Sequence, residues 1–184
     1  MGKVKEQFHS DYKIIKIDEE VVKEYCDFFN KHFEKDKLIW RVNNPDCTGF
    51  LAIHRISNQP VGFEWSIVSQ THEYRHDNFL LPLNNGMLFN AFVVKAHRGR
   101  GVFRSLKLKA TMFLYDQKEC EHVLSVVEVL NYPSINANNK IGSIVVGRNF
   151  LIKVLRRNLF SITKLNKKRL KIDYVLTGSK KVRI

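Results

Sequence analysis

Residues 95–109 read KAHRGRGVFRSLKLK, so Lys95, Arg98, Arg100, Arg104, Lys107 and Lys109 surround two glycines, Gly99 and Gly101, with no acidic residue among them. Glycines let the backbone turn tightly and aim several N–H groups at one point, and a helix starting there adds about half a positive charge. That chemistry is anion binding, and the density of cations suits a pyrophosphate. A nucleotide P-loop is excluded because no Gly-Lys pair followed by Ser or Thr is present. A dinucleotide fingerprint is excluded because the third glycine is missing. A two-glycine turn alone is ordinary; its flanks decide what it means.

Proton-transfer chemistry has fewer candidates. Glu128 interrupts the apolar run Val123–Leu130. A carboxylate buried there has a raised pKa and is suited to accept a proton near neutrality, whereas a Glu on the outer side of a strand edge is not. Glu64, in GFEWSIV, is a second candidate and is expected to face solvent. His97 adjoins the glycine loop, where packing or phosphate contact is expected of it, and His54 is expected to be a strand residue without a role. The seven histidines are scattered without a CxxC partner, so no metal site is expected. Cys26, Cys47 and Cys120 form no disulfide framework and are expected to be reduced, with Cys26 buried on an apolar helical face.

These groups must be positioned by secondary structure. Tyr12–Ile17 alternates like a strand, and from Asp18 the residues Val21, Val22, Tyr25, Phe28, Phe29 and Phe33 recur at helical spacing. Phe50–Ile56 and Val61–Val68, joined by Ser57-Asn58-Gln59-Pro60, predict an antiparallel pair. Residues 70–86 predict a loop, and Met87–Val94 (MLFNAFVV) a central strand covered on both faces. Phe103–Lys118 predicts a helix and His122–Leu130 a strand. A short helix is expected to begin at Asn131-Tyr132-Pro133-Ser134 and end at Gly142. Ile144–Leu155 and Leu170–Leu176 predict late strands joined by a basic connection.

The central strand and loop together, FVVKAHRGRGVFRSL, resemble motif A of the GCN5-related N-acetyltransferases, in which a strand enters an Arg/Gln-x-x-Gly-x-Gly/Ala loop and then a helix. Arg98 and Gly101 match, Phe103 departs at the last small position, and Lys95 stands where proline is frequent. Downstream, Asn131, Ser134 and Gly142 match a second pattern at offsets of 0, 3 and 11. The resemblance covers about residues 10–155 and is most specific over 87–142.

It implies an α/β fold of the mixed α+β kind, a central mixed β-sheet flanked by helices, with acetyl-CoA as cosubstrate. The cofactor would be held by Phe92, Val93, Arg98, Gly99, Arg100, Gly101, Val102, Phe103 and Arg104, with Asn131 and Ser134. A backbone N–H near Phe92 or Val93 would stabilise the developing oxyanion. Glu128 would then be the base. The tyrosine that usually serves as acid is replaced by Asn138, so the thiolate leaves unassisted, Tyr132 substitutes, or the chain only binds acyl-CoA. Polysaccharide-associated members, acting on nucleotide-linked amino sugars, look similar in their loop and their Asn-x-x-Ser helix.

The composition bounds the rest. With 184 residues, 44% apolar, the chain fits a single domain spanning 1–184. It has no apolar run of the ~20 residues that a membrane helix needs, so no membrane insertion and a cytoplasmic location are expected. The net charge of +13 is uneven: the first 142 residues hold 19 Lys/Arg against 17 Asp/Glu, and the basic C-terminal segment from about 143 holds 12 against Asp173 alone. Such a surface favours phosphate-bearing partners and disfavours cationic ones. A nucleic-acid module using Arg148–Arg183 is the rival reading. It lacks stacking aromatics and any named motif, so no nucleic-acid partner is expected. The expected partner is a small-molecule amine acceptor; a homodimer is compatible with the sequence.

Overall fold

The computed structural model describes residues 11–70, 74–76, 79–81, 83–128, 130–145, 147–154, 157–165, 176–178 and 180–182. Strand β1 (Tyr12–Ile17) appears as its alternation predicts, and Asp18 ends it. The Asp18 carboxylate accepts the Val21 N–H at 2.9 Å, and Glu19 and Glu20 fill the first turn, so cap and dipole both favour a helix start. The single helical period splits into α1 (Glu19–Glu24) and α2 (Cys26–His32), because Tyr25 leaves helical geometry at φ −111, ψ 34. A third helix, α3 (Lys35–Asn43), follows without having been foreseen.

Strands β2 (Cys47–His54) and β3 (Gln59–Ser69) form the expected antiparallel pair. Inside the stretch expected to be a loop lies a small hairpin, β4 (Tyr74–His76) with β5 (Phe79–Leu81). The central strand is β6 (Asn85–Val93), followed by α4 (Val102–Lys118), β7 (His122–Ser125) and α5 (Tyr132–Lys140). Beyond them, β8 (Gly147–Val154) pairs with β9 (Arg157–Leu165), which occupies most of the expected basic connection, and β10 (Leu176–Gly178) pairs with β11 (Lys180–Val182). The strand expected over 170–176 lies outside the described residues except for Leu176. Among the described residues no helix is long and apolar enough to cross a membrane.

The five-stranded sheet runs β1-β2-β3-β6-β7 and is antiparallel except for the β6–β7 pair, which α4 makes possible as the crossover. One face packs Tyr12, Phe50, Ala52, Val61, Leu88 and Val93 against Val102, Leu106, Ala110 and Leu114 of α4. The other packs Ile17, Leu51, Ile53, Phe63 and Trp65 against Phe29 and Leu38 of α2 and α3. Each fully buried large apolar side chain contributes about 1.5–3 kcal/mol, so both layers clamp the central strand from which the site is built.

Candidate active site

Strand β6 is regular only in its first half. Asn85–Leu88 pairs in parallel with His122–Ser125, and beyond Leu88 the rest of β6 has no β7 partner, because β7 ends at Ser125. On its other edge β6 carries a bulge. Phe92 stands opposite Phe63 and Phe89 opposite Trp65, so Asn90 and Ala91 together face the single residue Glu64. Asn90 takes the left-handed conformation at φ 52, and it and Ala91 are exposed. The bulged backbone therefore lies where β6 runs past the end of β7. Gly62 permits the close approach of β3 beside it, since a Cβ there would lie 2.6 Å from the Phe92 carbonyl oxygen.

At the end of β6, a 3-10 turn (Lys95–His97) leads into the glycine loop. Gly99 (φ 74) and Gly101 (φ 79) are both left-handed, the conformation that an L side chain resists. Gly101 is the N-cap of α4, no side chain caps this end, and its first turn carries no acid. The N–H groups of Val102, Phe103 and Arg104 are thus left for an anion, with the exposed Arg100 and Arg104 beside them. These donors fit a pyrophosphate. Arg98 turns back instead: its Nε donates to the Val93 carbonyl at 2.9 Å, tying the loop to the strand. His97 shares a 3.1 Å hydrogen bond with the Tyr12 hydroxyl and lies 5.3 Å, ring to ring, from His54, so it fastens the turn to β1 and β2.

No family model matches the sequence, and no curated protein matches it. Solved structures do. The aminoglycoside N-acetyltransferase AAC(6')-Iy in complex with CoA superposes with a TM-score of 0.62 at 16% identity, covering 78% of this chain and 95% of that one. A putative acetyl transferase from Pyrococcus furiosus gives 0.54 at 17%, covering 78% and 98%. An acetyltransferase of Trypanosoma brucei gives 0.56 at 12%, covering 78% and 100%. This chain has the GCN5-related N-acetyltransferase fold. The mixed sheet flanked by helices is the architecture expected from the sequence.

Within this acetyltransferase fold the other expected residues fall unevenly. The strand expected over His122–Leu130 stops at Ser125, and Glu128 is exposed in the following turn, where its carbonyl accepts the Asn131 N–H at 2.9 Å. Of the two readings of Glu128, buried carboxylate and outward-facing Glu, the exposed one holds. Glu64, expected to face solvent, is instead fully buried on the α4 face beneath the bulge, and burial pushes its pKa up to about 8 against the opposing pull of Lys107. Its Oε2 has no hydrogen-bond partner. Burial in turn lowers the Lys107 pKa, opposed by Glu64, and its ammonium lies 5.2 Å from the centre of the Phe103 ring. Phe103, in the first turn of α4, therefore lies against the buried end of Lys107.

Asn131 caps α5 by accepting the Ser134 N–H at 3.2 Å, which gives the Asn-x-x-Ser spacing a local structural meaning. Asn138 is buried and donates to the Ser134 carbonyl at 2.8 Å, while Tyr132 is 62% exposed at the helix start. Cys26 is exposed rather than buried. Cys47 and Cys120 are buried, and burial pushes their thiols up to about 12 and about 11, so neither is a thiolate at neutral pH.

His32 belongs to no motif in the sequence. It ends α2 half-buried, its ring centroid 4.1 Å from Phe92, 4.9 Å from Phe28 and 5.8 Å from Phe63. Burial, then the neighbouring Lys31, lower its pKa, which keeps the imidazole neutral at pH 7. The available signal was Phe28 and His32 four residues apart on one helix, but only the fold brings them to the bulged strand.

Proposed function

We propose that this chain is an acetyl-CoA-dependent N-acetyltransferase acting on a small-molecule amine. The observation that carries the reading is the succession along the chain of the β6 bulge, left-handed Gly99 and Gly101, and the uncapped start of α4. Its two ends suit the two ends of a thioester–pyrophosphate molecule, and the superposed acetyltransferases include one with CoA bound.

In this reading the amine attacks the thioester carbonyl. Backbone N–H groups of the bulge, at or next to Phe92 and Val93, take up the oxyanion charge, worth several kcal/mol at a preorganised donor. His32, neutral and beside Phe92, accepts the ammonium proton. Asn138 cannot donate a proton, so the sulfur leaves as thiolate. The thiolate then takes its proton from solvent.

The acceptor we favour is a nucleotide-linked amino sugar, because a net charge of +13 attracts a diphosphate and repels a polycation. Aminoglycosides, which several superposed enzymes take by name, are the contrasting case. Thiol release from acetyl-CoA measured across both acceptor classes tests this. Turnover with the nucleotide-linked sugar is expected; turnover with aminoglycosides alone would overturn the acceptor, and none with any amine would leave an acyl-CoA-binding protein.

A further inference from the structure

Asn90 is the bulge residue with the least intrinsic right to its conformation, since φ 52 is costly for most L residues and only tolerable for Asn. Assigned by its hydrogen-bond partners, the Asn90 carboxamide oxygen faces α3 and accepts two N–H groups of Arg41, from Nη1 at 2.7 Å and Nη2 at 3.1 Å. The guanidinium is itself confined: its centre lies 4.9 Å from the Phe33 ring, 5.1 Å from Phe89 and 5.4 Å from Trp65. Those rings come from the α2–α3 connection, from β6 and from β3, so the fork is held between the helices and the sheet on one face of the fold. Cation–π attraction to three faces supplements the forked hydrogen bond, and lysine offers no planar fork to replace it.

We propose that Arg41 is a positioning residue that fixes the β6 bulge through the Asn90 carboxamide, keeping the backbone N–H groups of residues 90–92 in one geometry. Arg41 acts through the backbone and is distant in sequence from the glycine loop. Its loss should therefore impair handling of the thioester and leave binding of the cofactor's phosphates intact. The consequence for catalysis rests on the acetyl-transfer reading; the clamp itself does not.

The test uses the full chain and Arg41→Lys, Arg41→Gln and Asn90→Gly, with hydrogen–deuterium exchange, CoA titration and thiol release from acetyl-CoA. In both Arg41 variants, exchange over residues 89–93 should rise while β2 and α4 stay protected. CoA affinity should hold within about twofold and turnover should fall about tenfold or more, the scale of a lost orientation. Asn90→Gly, which removes the other half of the clamp, should lose turnover to a similar extent, and adding Arg41→Gln to it should cost little more, the non-additivity expected of a contacting pair. Unchanged exchange over 89–93 in Arg41→Gln would overturn the proposal, as would a full additive loss in the double variant. Absence of turnover in the unaltered protein would sink the acetyltransferase reading, and the exchange arm would still decide the clamp. Should the Arg41 variants not fold, exchange at 89–93 in Asn90→Gly decides it: heightened exchange confined to that segment supports the clamp, and unchanged exchange refutes it.

Discussion

The α4 face of the central sheet is mainly aliphatic, with Tyr12, Phe50 and Phe103 among its members, around one buried acid–base couple, Glu64 with Lys107, whereas the α2–α3 face is dominated by aromatic rings around His32 and Arg41. On the α4 side the loop offers mainly backbone, with left-handed glycines and free helix N–H groups. On the other side the chemistry lies in side chains gathered from separate helices. The difference teaches that the proposed cofactor-binding end is specified locally and the proposed proton-handling end by tertiary packing.

The largest effect that sharpens the contrast is expected from His32→Gln on the aromatic face. Proton acceptance by a positioned base contributes roughly a hundredfold or more, so kcat/KM should fall by about that factor with CoA affinity unchanged. Because the His32 pKa is lowered, the wild-type rate should rise through that value, below 6.5, and be level at pH 7; the acid limb should vanish in the variant. An unaltered pH–rate profile would return the base to another group.

A smaller effect belongs to the opposite face. With the Glu64 pKa raised from 4.5 to about 8, the unfolded chain releases this proton first as pH rises, so Glu64 costs the folded state stability across that window. The contribution is present in full below pH 4.5 and gone above 8, with a slope of at most about 1.4 kcal/mol per pH unit. Denaturant melts should show Glu64→Gln gaining on the wild type between pH 5 and 8. Parallel stability curves would mean that the carboxylate is not buried as described. The smallest effect is expected of Glu128→Gln: with an exposed carboxylate outside β7, turnover at pH 7 should stay within about twofold of wild type, surface changes being near neutral.

Legibility in the sequence follows the same division. β1, the β2–β3 pair, β6, the glycine loop and α4 announce themselves through short-range pattern and appear within a few residues of their expected places. Residues Arg98–Arg104 could be read because a glycine loop and its cations are contiguous. Glu64 and Glu128 were misplaced because a carboxylate in an apolar run has the same local signature whether the strand continues or stops. The strand at Val123 stops where pairing with β6 ends, a fact of register rather than of composition. His32 and Arg41 were invisible since their partners Phe92, Trp65 and Asn90 lie 24 or more residues away along the chain. The helix break at Tyr25 and the appearance of α3 likewise lack a glycine or proline to mark them.

The most direct measurement of the central claim is a calorimetric titration of CoA into the wild-type chain and into Gly101→Glu. That substitution puts a side chain at φ 79 and a negative charge among the α4 N–H donors. Saturable binding by the wild type, weakened about a hundredfold or more in the variant, is the predicted result, the scale of opposed charge at a phosphate site. Equal affinity in two equally folded proteins would contradict the assignment of the loop as the cofactor site.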